Sequence, residues 1–173
     1  MARKPNIVGG GAQTNVNGLA FERNSDILLM IRKQTNYTVK GTQVFDSSGN
    51  RLATYYEKHK FYKHFLEPLG VDYTNIISSK LLPDGAIVNG NNVYVVEMKY
   101  QNRAGSVDEK LQTCGFKKKQ YQKLCKPIGY NLEYIYLLND WFDQEKYDDV
   151  FEYIESVGCQ YFIGTLPLRV FGL

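Results

Sequence analysis

The 173 residues predict an α/β domain built on a mixed central β-sheet flanked by helices. Three observations predict it. Short runs rich in Val, Ile, Tyr and Phe recur as strand segments, helical stripes separate the later ones, and Gly, Asn and Pro punctuate both. In the second half the order strand, helix, strand, helix, strand calls for parallel neighbours joined by right-handed helical crossovers. With 43% apolar and 23% charged residues the chain is globular, and its length suits one domain over residues 1–173.

Taken in order, residues 1–18 form a Gly-rich N-terminal arm, since glycine and asparagine at the density found from Gly9 to Gly18 resist regular structure. Leu19, Ala20, Ile27, Leu28 and Ile31 then make a helical stripe that predicts a helix over 19–33, with Glu22 on its first turns, where the helix dipole favours a carboxylate. Residues 42–45 and 51–55 flank Asp46-Ser47-Ser48-Gly49-Asn50 and predict a hairpin, a candidate insertion within 37–56. Residues 56–69 read as a helix ended by Pro68 and Gly70, with Lys58, Lys60 and Lys63 as its solvated face. Residues 76–80, 82–88 and 93–100 are predicted to be three strands of an antiparallel meander.

Ser106, with Glu109 three residues later, is a capping box that starts a helix carrying Lys110. Lys117, Lys118, Lys119, Lys123 and Lys126 follow within ten residues and form the densest positive cluster of the chain. Residues 132–138 read as a buried strand. Val150, Phe151, Ile154 and Val157 stripe a helix over 147–157, and residues 159–163 make a last strand.

The net charge of +3 permits a polyanionic partner without demanding one. Cys114, Cys125 and Cys159 are odd in number and lack C-x-x-C spacing, which argues against a zinc site or disulfide framework and for a reducing compartment. His59 and His64, five residues apart on a predicted helix, point about 140° apart and are not paired ligands. No apolar run approaches the roughly 20 residues of a membrane helix, and Met1-Ala2-Arg3-Lys4-Pro5 leads into glycines, so a soluble, cytoplasmic protein is expected.

The stretch from Leu82 to Lys99 carries most of the chemistry. If Gly90-Asn91 form a two-residue hairpin loop, Asn89 faces Asn92, Ala86 faces Val95, and Asp84 stands opposite Glu97. Directly opposed residues have Cβ atoms about 4.5–5.5 Å apart, and two carboxylates that close repel unless a cation lies between them. Lys99, two residues beyond Glu97, falls on the same face.

Pro83-Asp84 and Glu97-Met98-Lys99, twelve residues apart, resemble the two halves of the PD-(D/E)XK nuclease motif. The run from Gly105 to Lys110 after the Glu-x-Lys is also similar to restriction-type nucleases. The resemblance covers about residues 19–163 and implies a restriction-endonuclease-like core that hydrolyses DNA phosphodiesters with Mg²⁺. It assigns Asp84, Glu97 and the Met98 carbonyl to the metal and Lys99 to the attacking water. Glu22 matches an acidic residue on the preceding helix, and Gln101 matches a glutamine that holds water or phosphate. Lys110, Lys117, Lys118, Lys119 and Lys123 are the DNA-binding candidates, lysine acting on phosphate as a mobile point charge.

A stand-alone chain with this motif looks most like a type II restriction endonuclease, a homodimer cutting both strands of double-stranded DNA and leaving 5′-phosphate ends. The alternatives are a junction-resolving, repair or nicking nuclease of the same fold, or a DNA-binding or interaction protein without catalysis.

Overall fold

A computed structural model describes residues 27–103 and 107–173, apart from the side chains of Val107 and Asp108. The Gly-rich arm, Glu22 and the Ser106 end of the capping box lie outside the described residues. Seven strands form one mixed sheet in sequence order: β1 (Thr38–Lys40), β2 (Gln43–Phe45), β3 (Arg51–Tyr56), β4 (Gly85–Asn89), β5 (Asn92–Lys99), β6 (Asn131–Leu138) and β7 (Gln160–Ile163). Neighbours from β1 to β5 are antiparallel, whereas β5, β6 and β7 run parallel. Parallel pairs need long crossovers. Helices α3 (Val107–Leu111) and α4 (Cys114–Cys125) lie between β5 and β6, and α5 (Asp148–Ser156) between β6 and β7.

Alternation along β5 sorts the core into two layers. Val93 and Val95, with Tyr134 and Tyr136 of β6, pack against Phe61, Leu66, Leu111, Tyr121, Leu124 and Ile154. On the other face Val96 and Met98, with Ile135 and Leu137, meet Ile27 and Ile31 of α1 (Ile27–Arg32) and, from the C-terminal segment, Leu166 and Phe171. A central parallel strand buried on both faces loses its polar alternation, which is why residues 134–138, after the half-buried Glu133, read as a continuous apolar run.

The predicted helix over 56–69 is helical throughout from Lys58 but changes pitch. It begins as α2 (Lys58–Phe61), continues as a π segment over Tyr62–Leu66, and ends as a 3₁₀ turn over Glu67–Leu69. Gly70 stops it with φ of 80°. The change of pitch accompanies burial of Phe61, Tyr62, Phe65 and Leu66.

Two sequence expectations are corrected. Residues 76–80 form no strand, because β3 and β5 already take both edges of β4. That segment instead packs as a loop, with Ile77 buried and the Lys80 ammonium 4.5 Å from the ring centres of both Tyr62 and Tyr73. The strand paired with β4 is β3, so the 37–56 hairpin is an integral extension of the sheet beside the site.

The three cysteines are buried and free. His59 and His64 are exposed. Among the described residues no helix is long and apolar enough to cross a membrane.

Candidate active site

The β4–β5 hairpin has the expected register. Asn89 pairs with Asn92, Val88 with Val93, Ala86 with Val95 and Gly85 with Val96. The ladder ends there, so residues 82–84 of the expected strand lie outside it and Asp84 sits at a bend just before β4, at the Glu97 end of the hairpin. Gly90 holds φ at 55° while Asn91 stays at negative φ, the pattern of a II′ loop, whose twist suits a two-residue hairpin.

Asp84 is tied down from several sides. Its Oδ2 accepts a hydrogen bond from the Met98 N–H at 2.9 Å, its carbonyl accepts one from the Tyr55 hydroxyl at 3.5 Å, and the carbonyl before it, on Pro83, accepts one from the Lys58 N–H at 2.9 Å. Lys58 makes that bond at a φ of 44°, a left-handed conformation costing about 1–2 kcal/mol outside glycine. Gly85 leaves no room for a side chain. A Cβ there would lie 2.9 Å from Tyr55 Cε2 and 3.3 Å from Ile27 Cδ1.

Lys99 Nζ lies 2.6 Å from Glu97 Oε2, 3.2 Å from the Met98 carbonyl oxygen and 3.8 Å from Asp84 Oδ2. A second lysine joins them: Lys117 Nζ, from the first turn of α4, is 2.9 Å from Glu97 Oε1. The side chains of Asp84, Glu97, Lys99 and Lys117 keep 19%, 8%, 17% and 24% of their exposure, so the cluster is sheltered but open to solvent at one side.

Burial and the Glu97 charge push the Asp84 carboxyl up to about 6, against the pull of Lys99 and the Met98 N–H. Glu97 moves the other way. Burial acts to raise it, but the Lys99 and Lys117 ammoniums outweigh that and hold it below the usual carboxylate range. The Tyr121 hydroxyl behind the acids is fully buried with no hydrogen-bond partner among the described residues, and burial, Tyr62 and the two acids all disfavour its ionisation.

The other candidates are dispersed. Gln101 lies past the end of β5, buried, with its backbone N–H and carbonyl paired to the Asn139 side chain at 2.9 Å each. Lys110 is exposed on α3. The lysine cluster, one patch in the sequence, splits by helical angle. Lys117 turns inward to Glu97, and Lys118 donates to the Gly158 carbonyl at 2.5 Å. Lys119, Gln122, Lys123 and Lys126, at i, i+3, i+4 and i+7, share one face and line a groove with Asn92 and Asn131.

The approach of Lys117 to Glu97 is the feature that sequence reading misses. Its signal was present, however, since Lys117 shares a helical face with the buried Tyr121 and Leu124 rather than with the other lysines.

Two carboxylates and the Met98 carbonyl are hard oxygen donors that fit Mg²⁺, which takes one or two carboxylates and completes its shell with water and phosphate. No group of three or more His, Cys, Asp and Glu side chains converges among the described residues. Comparison with protein-family models, with curated proteins and with solved structures finds no significant match to this chain.

Proposed function

We propose that the protein is a Mg²⁺-dependent endodeoxyribonuclease with a restriction-endonuclease-like core, and within that class a type II restriction endonuclease acting as a homodimer. The observation that carries this reading is the convergence of Asp84, Glu97 and Lys99 at the end of the β4–β5 hairpin, with one Lys99 ammonium in reach of both acids. The sheet supports it too: an antiparallel meander leads into the parallel strand β6 through helices that pack behind the site.

Mg²⁺ held by Asp84, Glu97 and the Met98 carbonyl would polarise the scissile phosphate and make a bound water more acidic. The chain's own groups do the rest. Lys99 holds the attacking water in line with the leaving oxygen, and its charge favours the hydroxide form. Attack at phosphorus forms the new P–O bond as the bond to the 3′ oxygen breaks, so the products carry 5′-phosphate and 3′-hydroxyl ends. One site per subunit makes two subunits necessary for a double-strand cut, and a twofold dimer matches a twofold DNA site.

Incubation with a supercoiled plasmid tests the reading. Mg²⁺ gives discrete linear fragments and EDTA gives none. Cleavage confined to branched or mismatched DNA would reassign the protein to junction resolution or repair. Binding of DNA without cleavage in any divalent metal would reassign it to a non-catalytic role.

A further inference from the structure

Both oxygens of Glu97 are taken. Lys99 holds Oε2 at 2.6 Å and Lys117 holds Oε1 at 2.9 Å, while Asp84 Oδ2 accepts from the Met98 N–H. A divalent cation entering between the acids meets an ammonium already bonded to each Glu97 oxygen, and the like charges repel. We infer that Lys117 is a built-in counter-ion of the cation seat, which a divalent metal displaces from Glu97 Oε1, freeing the ammonium for the substrate phosphodiester. This inference rests on the reading of the cluster as a metal-dependent phosphodiesterase.

The geometry selects Lys117 over Lys99 as the group that yields. Lys99 is anchored two residues from Glu97 on the same strand, with the Met98 carbonyl and an Asp84 oxygen, which it would share with the cation, also in reach. Among the described residues Lys117 pairs with Glu97 alone, and it reaches across from α4 on a flexible four-carbon stem. The charge balance supplies a reason for such a device. The two acids and two lysines neutralise one another in the protein alone, whereas a divalent cation leaves the cleft doubly positive and so receptive to a phosphate anion. Metal and DNA binding therefore reinforce each other, each raising the affinity for the other by the same factor.

The test is titration calorimetry with Mg²⁺ alone, without DNA, on the wild type, K117Q and D84N. A competing internal cation lowers apparent affinity by the fraction of molecules it leaves open, so K117Q should bind Mg²⁺ about tenfold more tightly than the wild type. D84N should bind more weakly. In the wild type, the NMR signal of the Lys117 ammonium should shift toward that of a solvent-exposed lysine as Mg²⁺ is added, while that of Lys99 stays in its hydrogen-bonded position. This second readout stands even if K117Q does not fold. K117Q binding no more tightly than the wild type, or an unmoved Lys117 signal at saturating Mg²⁺, overturns the inference and leaves the metal site intact. Absence of Mg²⁺ binding in both the wild type and K117Q overturns the inference together with the metal-dependent reading.

Discussion

Asp84 and Glu97 share one cleft and titrate in opposite directions, because both lysines lie closer to Glu97 and burial dominates at Asp84. Such a split has consequences for function and for stability. A metal needs Asp84 ionised, so at subsaturating Mg²⁺ the affinity of the wild type should climb through a pH of about 6 and flatten above it, as followed by calorimetry across the pH range. For folding the sign is reversed. The folded chain holds the Asp84 proton more tightly than the unfolded chain, so this group lowers stability as pH rises from the ordinary carboxyl value of 3.8 to about 6, and the full cost persists above that. Glu97 works the other way, contributing stability above 4.5 that is lost as pH falls through its lowered folded value. Asp84→Asn should therefore be the more stable protein at pH 8, by about 1–3 kcal/mol, with the gap closing toward pH 4 in thermal melts. The identities of Asp84, Glu97 and Lys99 were legible in the sequence because strand alternation and a turn suffice to bring them together. The inward path of Lys117 was legible only in part: its spacing to Tyr121 and Leu124 marks the buried face, but the partner it meets there depends on where α4 lies over the sheet.

The β4–β5 hairpin succeeds as an element because Gly90 supplies the positive φ its loop needs and Gly85 lets Tyr55 approach the backbone beside Asp84. Gly85→Ala should overpack that contact, costing about 1–3 kcal/mol. In thermal melts this appears as a midpoint lower by about 2–10 °C, and cleavage should fall with it because the strain falls next to Asp84. Hairpins held by local turn chemistry were readable: Asp46 of the 42–56 hairpin accepts from the Ser48 and Asn50 N–H groups at 2.9 and 2.8 Å. Residues 76–80 show the limit. Ile76, Ile77 and the residues around them have strand-like composition, but a strand also needs a free edge to pair with, and β4 offers none. The place of β3 beside β4 was equally hidden, because it joins segments about thirty residues apart.

At the scale of the whole molecule, the α/β class followed from the order of elements, and the seven-stranded mixed sheet bears it out. The strand order was less accessible because it is set by long-range pairing. The surface then distributes charge in a way composition cannot show: a small net excess of +3 is concentrated in part along one face of α4. If that groove follows DNA phosphates, the triple substitution of Lys119, Lys123 and Lys126 by Gln should flatten the dependence of log affinity on log salt, by about 0.9 for each phosphate no longer neutralised. Lys118 lines the same groove, but its ammonium is tethered to the Gly158 carbonyl, so Lys118→Gln should flatten the slope by less than the triple substitution does. Everything proposed for this protein turns on one hairpin end being a phosphodiesterase site. The decisive measurement is the single-turnover cleavage rate of plasmid DNA in Mg²⁺ for Lys99→Met beside the wild type, both checked for equal folding. The expected outcome is a loss of about 10²–10⁴-fold, the scale of a positioned proton-transfer group. Cleavage by Lys99→Met at the wild-type rate would contradict the assignment.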